Sequence, residues 1–168
     1  MLQRTSLPNR VSRDDADAAV DKPLSPPIGH PWRVFIRALA GEVDAQGGEA
    51  ARDELLRGVG RRMAKLMPLP EVTSVESLEI EMNDMLCLLA WGSTRLTLEE
   101  NENSLTIIHS GLPRLGAAGN PPGLWLSAVL EGLYETWIAQ QPGSDPQLLA
   151  RRSAITPEEM IVLRYGKD

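Results

Sequence analysis

The sequence predicts an α+β fold, with about four helices packed on a four-stranded antiparallel sheet behind a flexible N-terminal tail, on three observations. Four stretches, starting near residues 32, 49, 74 and 124, repeat apolar side chains at the helical period. Between the third and fourth, residues 95–109 alternate apolar and polar on both sides of a polar turn, the period of a hairpin. Two short stretches near the C-terminus, 148–155 and 160–165, add weaker strand character.

A chain of 168 residues with 42% hydrophobic content buries one core, so a single domain at 31–168 follows the tail at 1–30. That tail holds Pro8, Pro23, Pro26 and Pro27 among mixed charges and has little apolar bulk to offset the entropy of ordering. Helix one runs from Trp32 to Val43, with Pro31 suited to a first turn and Gly47-Gly48 as the stop. Helix two, Glu49 to Met67, has a core stripe of Leu55, Leu56, Val59, Met63 and Leu66. Arg57, Arg61 and Lys65 share another face, expected to be solvated.

After Pro68 and Pro70, Thr73 and Glu76 offer a capping box for helix three, which runs to Ala90. Leu78, Met82, Met85, Leu86 and Leu89, widened by Cys87 and Leu88, predict a central helix buried on more than one side, with Cys87 as a buried thiol. Leu96 and Leu98 begin the hairpin and Leu105, Ile107 and His109 return it; Gly111–Gly123 is a Gly/Pro loop. Helix four, Leu124 to Gln140, carries Leu126, Val129, Leu130, Leu133 and Trp137 and ends at Pro142-Gly143.

Chemistry is sparse. A formal charge of -6 works against nucleic acid and anionic lipid as partners. One cysteine allows no internal disulfide, and His30 and His109 form no close ligand pair, so no metal site or cofactor is expected. The glycine-rich loop lacks the ending of a phosphate-binding loop. Glu131, on an otherwise apolar helix, reads as a helix-surface or subunit-contact residue, and His109 as an ordinary hydrogen-bonded or surface histidine rather than a base. The four tryptophans, at 32, 91, 125 and 137, read as core or interface anchors, with sugar stacking the functional alternative. No catalytic constellation is visible, and the expectation is a protein that is not an enzyme.

Three stretches resemble the D subunit of bacterial cellulose synthase: DELLRGVGRRM with the following MPLP, LEIEMNDMLCLLAWG, and IIHSGLPRLGAAGNPPGLWLSAVLEGLYETW. The resemblance covers roughly Trp32 to Trp137, with the quoted stretches running from Asp53 to Trp137 and a looser match through IVLRY. The resemblance implies a noncatalytic accessory protein of cellulose export and crystallisation, a ring-like homo-octamer built from dimers whose passages guide nascent glucan chains. Its implied partners are the membrane cellulose synthase complex and a proline-rich scaffold protein. In that family the N-terminal region lines the passages, which makes His30, Trp32, Arg33 and Arg37 the glucan-contact candidates here, where the tail meets helix one.

The tail itself departs from the family pattern. No apolar core of signal-peptide length opens the chain, and no apolar run nears the roughly 18 residues of a membrane span. The expected location is therefore the cytoplasm near the inner membrane, with the periplasm as runner-up. The rival functions are a monomeric carbohydrate-binding or chaperone module and a glucan hydrolase acting through a carboxylate such as Glu131. The synthase itself is excluded, since the chain has neither membrane spans nor the QxxRW signature.

Overall fold

A computed structural model describes residues 30–99, 104–112, 124–145, 147–155 and 160–167, with all their side chains except those of residues 30–33, 40, 124, 154 and 155. The elements run α1 (His30–Leu66), α2 (Val75–Leu89), β1 (Ser93–Glu99), β2 (Ser104–Ser110), a 3-10 turn (Leu124–Leu126), α3 (Ser127–Ala139), β3 (Leu149–Ile155) and β4 (Ile161–Gly166). The predicted α+β class holds. Much of the tail and of the Gly/Pro loop lies outside the described residues.

All four strands pair antiparallel in the order β1-β2-β4-β3. Alternation along each strand puts one side chain in two on the core face. The register lines these up across the sheet: Leu96 faces Ile107, which faces Leu163, while Leu105 faces Tyr165 and His109 faces Ile161. The buried face meets α3, and ten of the thirteen α3 residues are buried. α1 packs on the other side of α3, and α2 packs along β1.

The predicted first and second helices are the two arms of α1. Gly48 joins them at φ 73°, ψ −176°, a non-helical conformation open to glycine and strained for other residues, so the helix is kinked there. Leu56 and Met63 of the second arm and Ile36 of the first pack on Trp125, Leu126 and Val129.

Five expectations are corrected here, the first being the helix-two core stripe, of which Leu56 and Met63 pack inward while Leu55, Val59 and Leu66 are exposed. Ser74, not Thr73, caps α2, its hydroxyl accepting from the Ser77 N–H at 3.1 Å. α2 is not the central helix: Leu78, Met82 and Leu86 are buried, whereas Leu88 is 82% exposed, so one stripe meets the core and α3 takes the centre. Cys87 is exposed for the same reason, since it sits next to Leu88 on the outer side. The Arg57–Arg61–Lys65 face is not uniformly solvated: Lys65 is exposed, but Arg57 and Arg61 reach acids on α3.

Candidate assembly surface

The second arm of α1 meets α3 at a crossing built on two glycines. A Cβ added at Gly60 would lie 2.0 Å from the Val129 carbonyl oxygen, and one at Gly132 would lie 2.0 Å from that of Arg57. Each helix therefore presses backbone against backbone, a separation only glycine permits. This close crossing brings charged side chains from both helices into a narrow, partly dry seam.

In that seam the Arg57 Nε–H donates to Glu131 Oε2 at 2.5 Å, and the Glu131 side chain is 2% exposed. The other Glu131 oxygen accepts from the backbone N–H of Arg152 on β3 at 2.9 Å. Arg152 in turn donates to Ser127 and, at 3.0 Å, to Asp53. Asp53 accepts from Arg52 Nε and Nη2, while Nη2 also donates to Glu49 and Nη1 to Asp44. Arg57 and Arg61 share Glu54, and Glu135 accepts from Arg151 at 3.2 Å.

Burial works against the charge on Arg57, but the hydrogen bond and field of Glu131, helped by Glu54, hold its pKa above the ordinary value. Arg52 is likewise raised against its burial, chiefly by Asp53 and then Asp44. The Arg61 and Arg57 hydrogen bonds hold the Glu54 carboxyl below its ordinary range. These are the marks of a structural network. Glu131 is not a surface carboxylate, as its helix pattern suggested, because Arg57 and the β3 backbone satisfy it inside the crossing.

His109 is buried, with Nδ1 and the Tyr134 hydroxyl joined by a 2.7 Å hydrogen bond. Burial depresses its pKa to about 4, outweighing a backbone contact with Trp91, and burial likewise pushes the Tyr134 phenol up. This is the hydrogen-bonded histidine expected from the sequence. Trp137 is fully buried with its indole N–H on the Met67 carbonyl, Trp125 is buried, and Trp91 is half-buried.

Away from the α3 crossing, several apolar side chains of α1 are exposed. Val34, Phe35 and Leu39 on the first arm and Leu55, Val59 and Leu66 on the second are all more than 40% exposed. Together they make an exposed apolar patch along the helix. Of the glucan-contact candidates, His30, Trp32 and Arg33 fall in the opening turn of α1, and Arg37 follows with its side chain exposed. The side chains of the first three lie outside the described residues. What the sequence missed is the split of α1 into a face locked on α3 and a face left bare; its signal is the pair Gly58 and Gly60, which point to opposite sides.

Comparison with known proteins gives a consistent answer. Residues 27–166 match the family described as the D subunit of cellulose synthase. Two relatives named Cellulose synthase operon protein D, from Komagataeibacter xylinus and Komagataeibacter sucrofermentans, are each 44% identical over 113 residues, or 67% of this chain and 72% of the relative. The resemblance carried by the three quoted stretches thus rests on nearly the whole described fold, and the chain belongs to the family of cellulose synthase D subunits.

Proposed function

We propose that the protein is a noncatalytic accessory component of bacterial cellulose biosynthesis, one that assembles from dimers into a ring-like octamer and guides glucan chains toward export and crystallisation. Family membership supports the part in cellulose synthesis. The observation that carries the assembly is the bare apolar side of α1, a 37-residue helix with one side on α3 and Val34, Leu39, Leu55 and Val59 facing outward. Copies that bury those faces remove apolar area from water at roughly 25 cal/mol per Å².

His30, Trp32, Arg33 and Arg37 are the proposed glucan contacts, and the tail at 1–30 is proposed to enter or border the passage. An indole and a few guanidinium groups bind a sugar ring weakly through stacking and hydrogen bonds. Weak contact suits a polymer that must slide, since a tight site would stall it. The membrane synthase complex and a proline-rich scaffold protein are the proposed partners. No described helix is long and apolar enough to cross a membrane; a cytoplasmic place beside the inner membrane is the proposed location.

Two measurements test this. Native mass spectrometry of the full chain at micromolar concentration is expected to give an eight-chain species, and a single-chain mass removes the ring. In cells, loss of the gene is expected to lower cellulose yield and disorder the fibres. A version truncated before Pro31 that restores yield but not fibre order assigns the tail to the passage; full restoration of both by that version takes the tail out of the mechanism.

A further inference from the structure

We propose that the outer face of α1 centred on Gly58 receives the same face of a second copy of this chain, antiparallel and across a two-fold axis; this rests on the assembly proposed for the protein and names the surface that makes its dimer. α1 turns about 100° per residue, so Gly58 and Gly60 point to nearly opposite sides of it. Gly60 has an internal reason, its contact with the Val129 carbonyl. Gly58 has none, for an added Cβ there meets nothing within 4 Å.

Glycine inside a helix is unfavourable relative to alanine, because its backbone gives up more freedom on folding. A glycine that a single copy has no use for is explained if another backbone comes close to it. Around Gly58, Leu55, Val59 and Leu66 stand exposed, and with Glu54, Arg62 and Met63 they line an open groove of about 630 Å³. Its floor has no side chain and its walls are apolar apart from Glu54 and Arg62, a shape that admits a helix at close range.

Charge selects the partner and its direction. Glu54 lies one turn before Gly58 and Arg62 one turn after it; Arg62 is exposed and has no acidic partner among the described residues. Antiparallel pairing about Gly58 brings Arg62 of the partner subunit to the exposed Glu54 carboxylate, which already accepts from Arg57 and Arg61 of its own chain, and the two-fold axis repeats the contact, as an isologous contact requires. Parallel pairing would instead oppose Arg62 to its own copy and Lys65 to its own copy. The other outward apolar face, on α2, has Ile80 and Leu88 exposed, but that helix carries Glu76, Glu79, Glu81 and Asp84 with no Lys or Arg, so two copies repel there.

The test uses the full chain. Arg62→Lys keeps the charge and supplies an amine, and a zero-length carbodiimide then joins it only to a carboxylate in direct contact. Within one chain residues 54 and 62 are about 12 Å apart along the helix, beyond that reach. Oligomers reassembled from ¹⁴N and ¹⁵N chains are expected to give a mixed-isotope amide between Glu54 and the lysine at 62.

Gly58→Leu, whose Cβ has open space around it, is expected to leave helix content intact and weaken the dimer about 10- to 100-fold. An oligomer of unchanged mass that gives no such cross-link and tolerates Gly58→Leu overturns this interface and leaves the assembly itself standing, with the α2 face or residues 1–29 as the holding surface. A wild-type chain that is a monomer at micromolar concentration overturns both.

Discussion

The two edges of the sheet are closed by the same device built from different chemistry. On β1, the Thr94 N–H donates to Asn83 Oδ1 at 2.8 Å and the Leu96 N–H to Glu79 Oε2 at 2.7 Å, while Asn83 donates back to the Thr94 carbonyl. On β3, the Arg152 N–H donates to Glu131 Oε1 at 2.9 Å and the Ala150 N–H to Glu135 Oε2 at 3.4 Å. In each case helix positions i and i+4 reach strand positions two apart and stand in for a missing neighbour strand. α2 does this with one amide and one carboxylate. α3 does it with two carboxylates, whose charge Arg57, Arg61 and Arg151 offset.

The difference teaches where rigidity is placed. The β3 edge is tied through its carboxylates to α1, so sheet, α3 and α1 are joined; among the described residues the β1 edge is tied to α2 alone. Breaking the first should therefore cost more and disturb assembly, and breaking the second should cost less and act locally. Glu131→Ala, which leaves Arg57 without its buried acid and the Arg152 N–H without an acceptor, is expected to lower stability by about 3–5 kcal/mol. Urea unfolding at fixed protein concentration reads it. Glu131→Gln, which keeps an acceptor for β3, should lose less, and equal losses in the two would mean that charge alone matters.

Much of this is legible from the residues, and the reasons are local. The four helical stretches, the hairpin and the last strand each carry their own period and stop signals, so their positions need no knowledge of neighbours. Gly47-Gly48 marks the interruption of the helix for the same reason. The edge device and the charged seam are not legible, because Arg57 and Glu131 stand 74 residues apart and only the Gly60–Gly132 crossing brings them together. Nothing local distinguishes Gly58 from Gly60 in GVG. α2 misleads for a related reason: LCLL reads as a core run, yet Leu88 lies on the side that nothing described covers. The proposed glucan contacts come from family resemblance alone, and no pattern in the residues around His30 singles them out.

Between the edges, on central strand β2, His109 sharpens the comparison through pH. Its folded pKa of about 4 lies below the ordinary 6.5, so the unfolded chain binds the proton more readily. The stability this neutral, buried imidazole confers is complete above about pH 6.5 and falls as pH drops toward 4, by about 3 kcal/mol in all. His109→Gln should flatten stability between those pH values whatever its offset. An acid limb unchanged in that variant would place the proton uptake elsewhere in the fold.

Asn83 gives the smallest effect and the most direct test of the weaker edge. Asn83→Ala removes the acceptor for the Thr94 N–H, the donor to its carbonyl and a further bond to the Glu79 carbonyl. Water replaces part of each at an exposed edge, so the loss should be about 1–2 kcal/mol, well short of that for Glu131→Ala. Amide hydrogen exchange should quicken at Thr94 and Leu96 while Ala150 and Arg152 keep their protection. Native mass should be unchanged, since α2 does not touch the proposed α1 contact. If exchange instead rises at both edges together, the sheet opens as a unit and the two closures do not act separately.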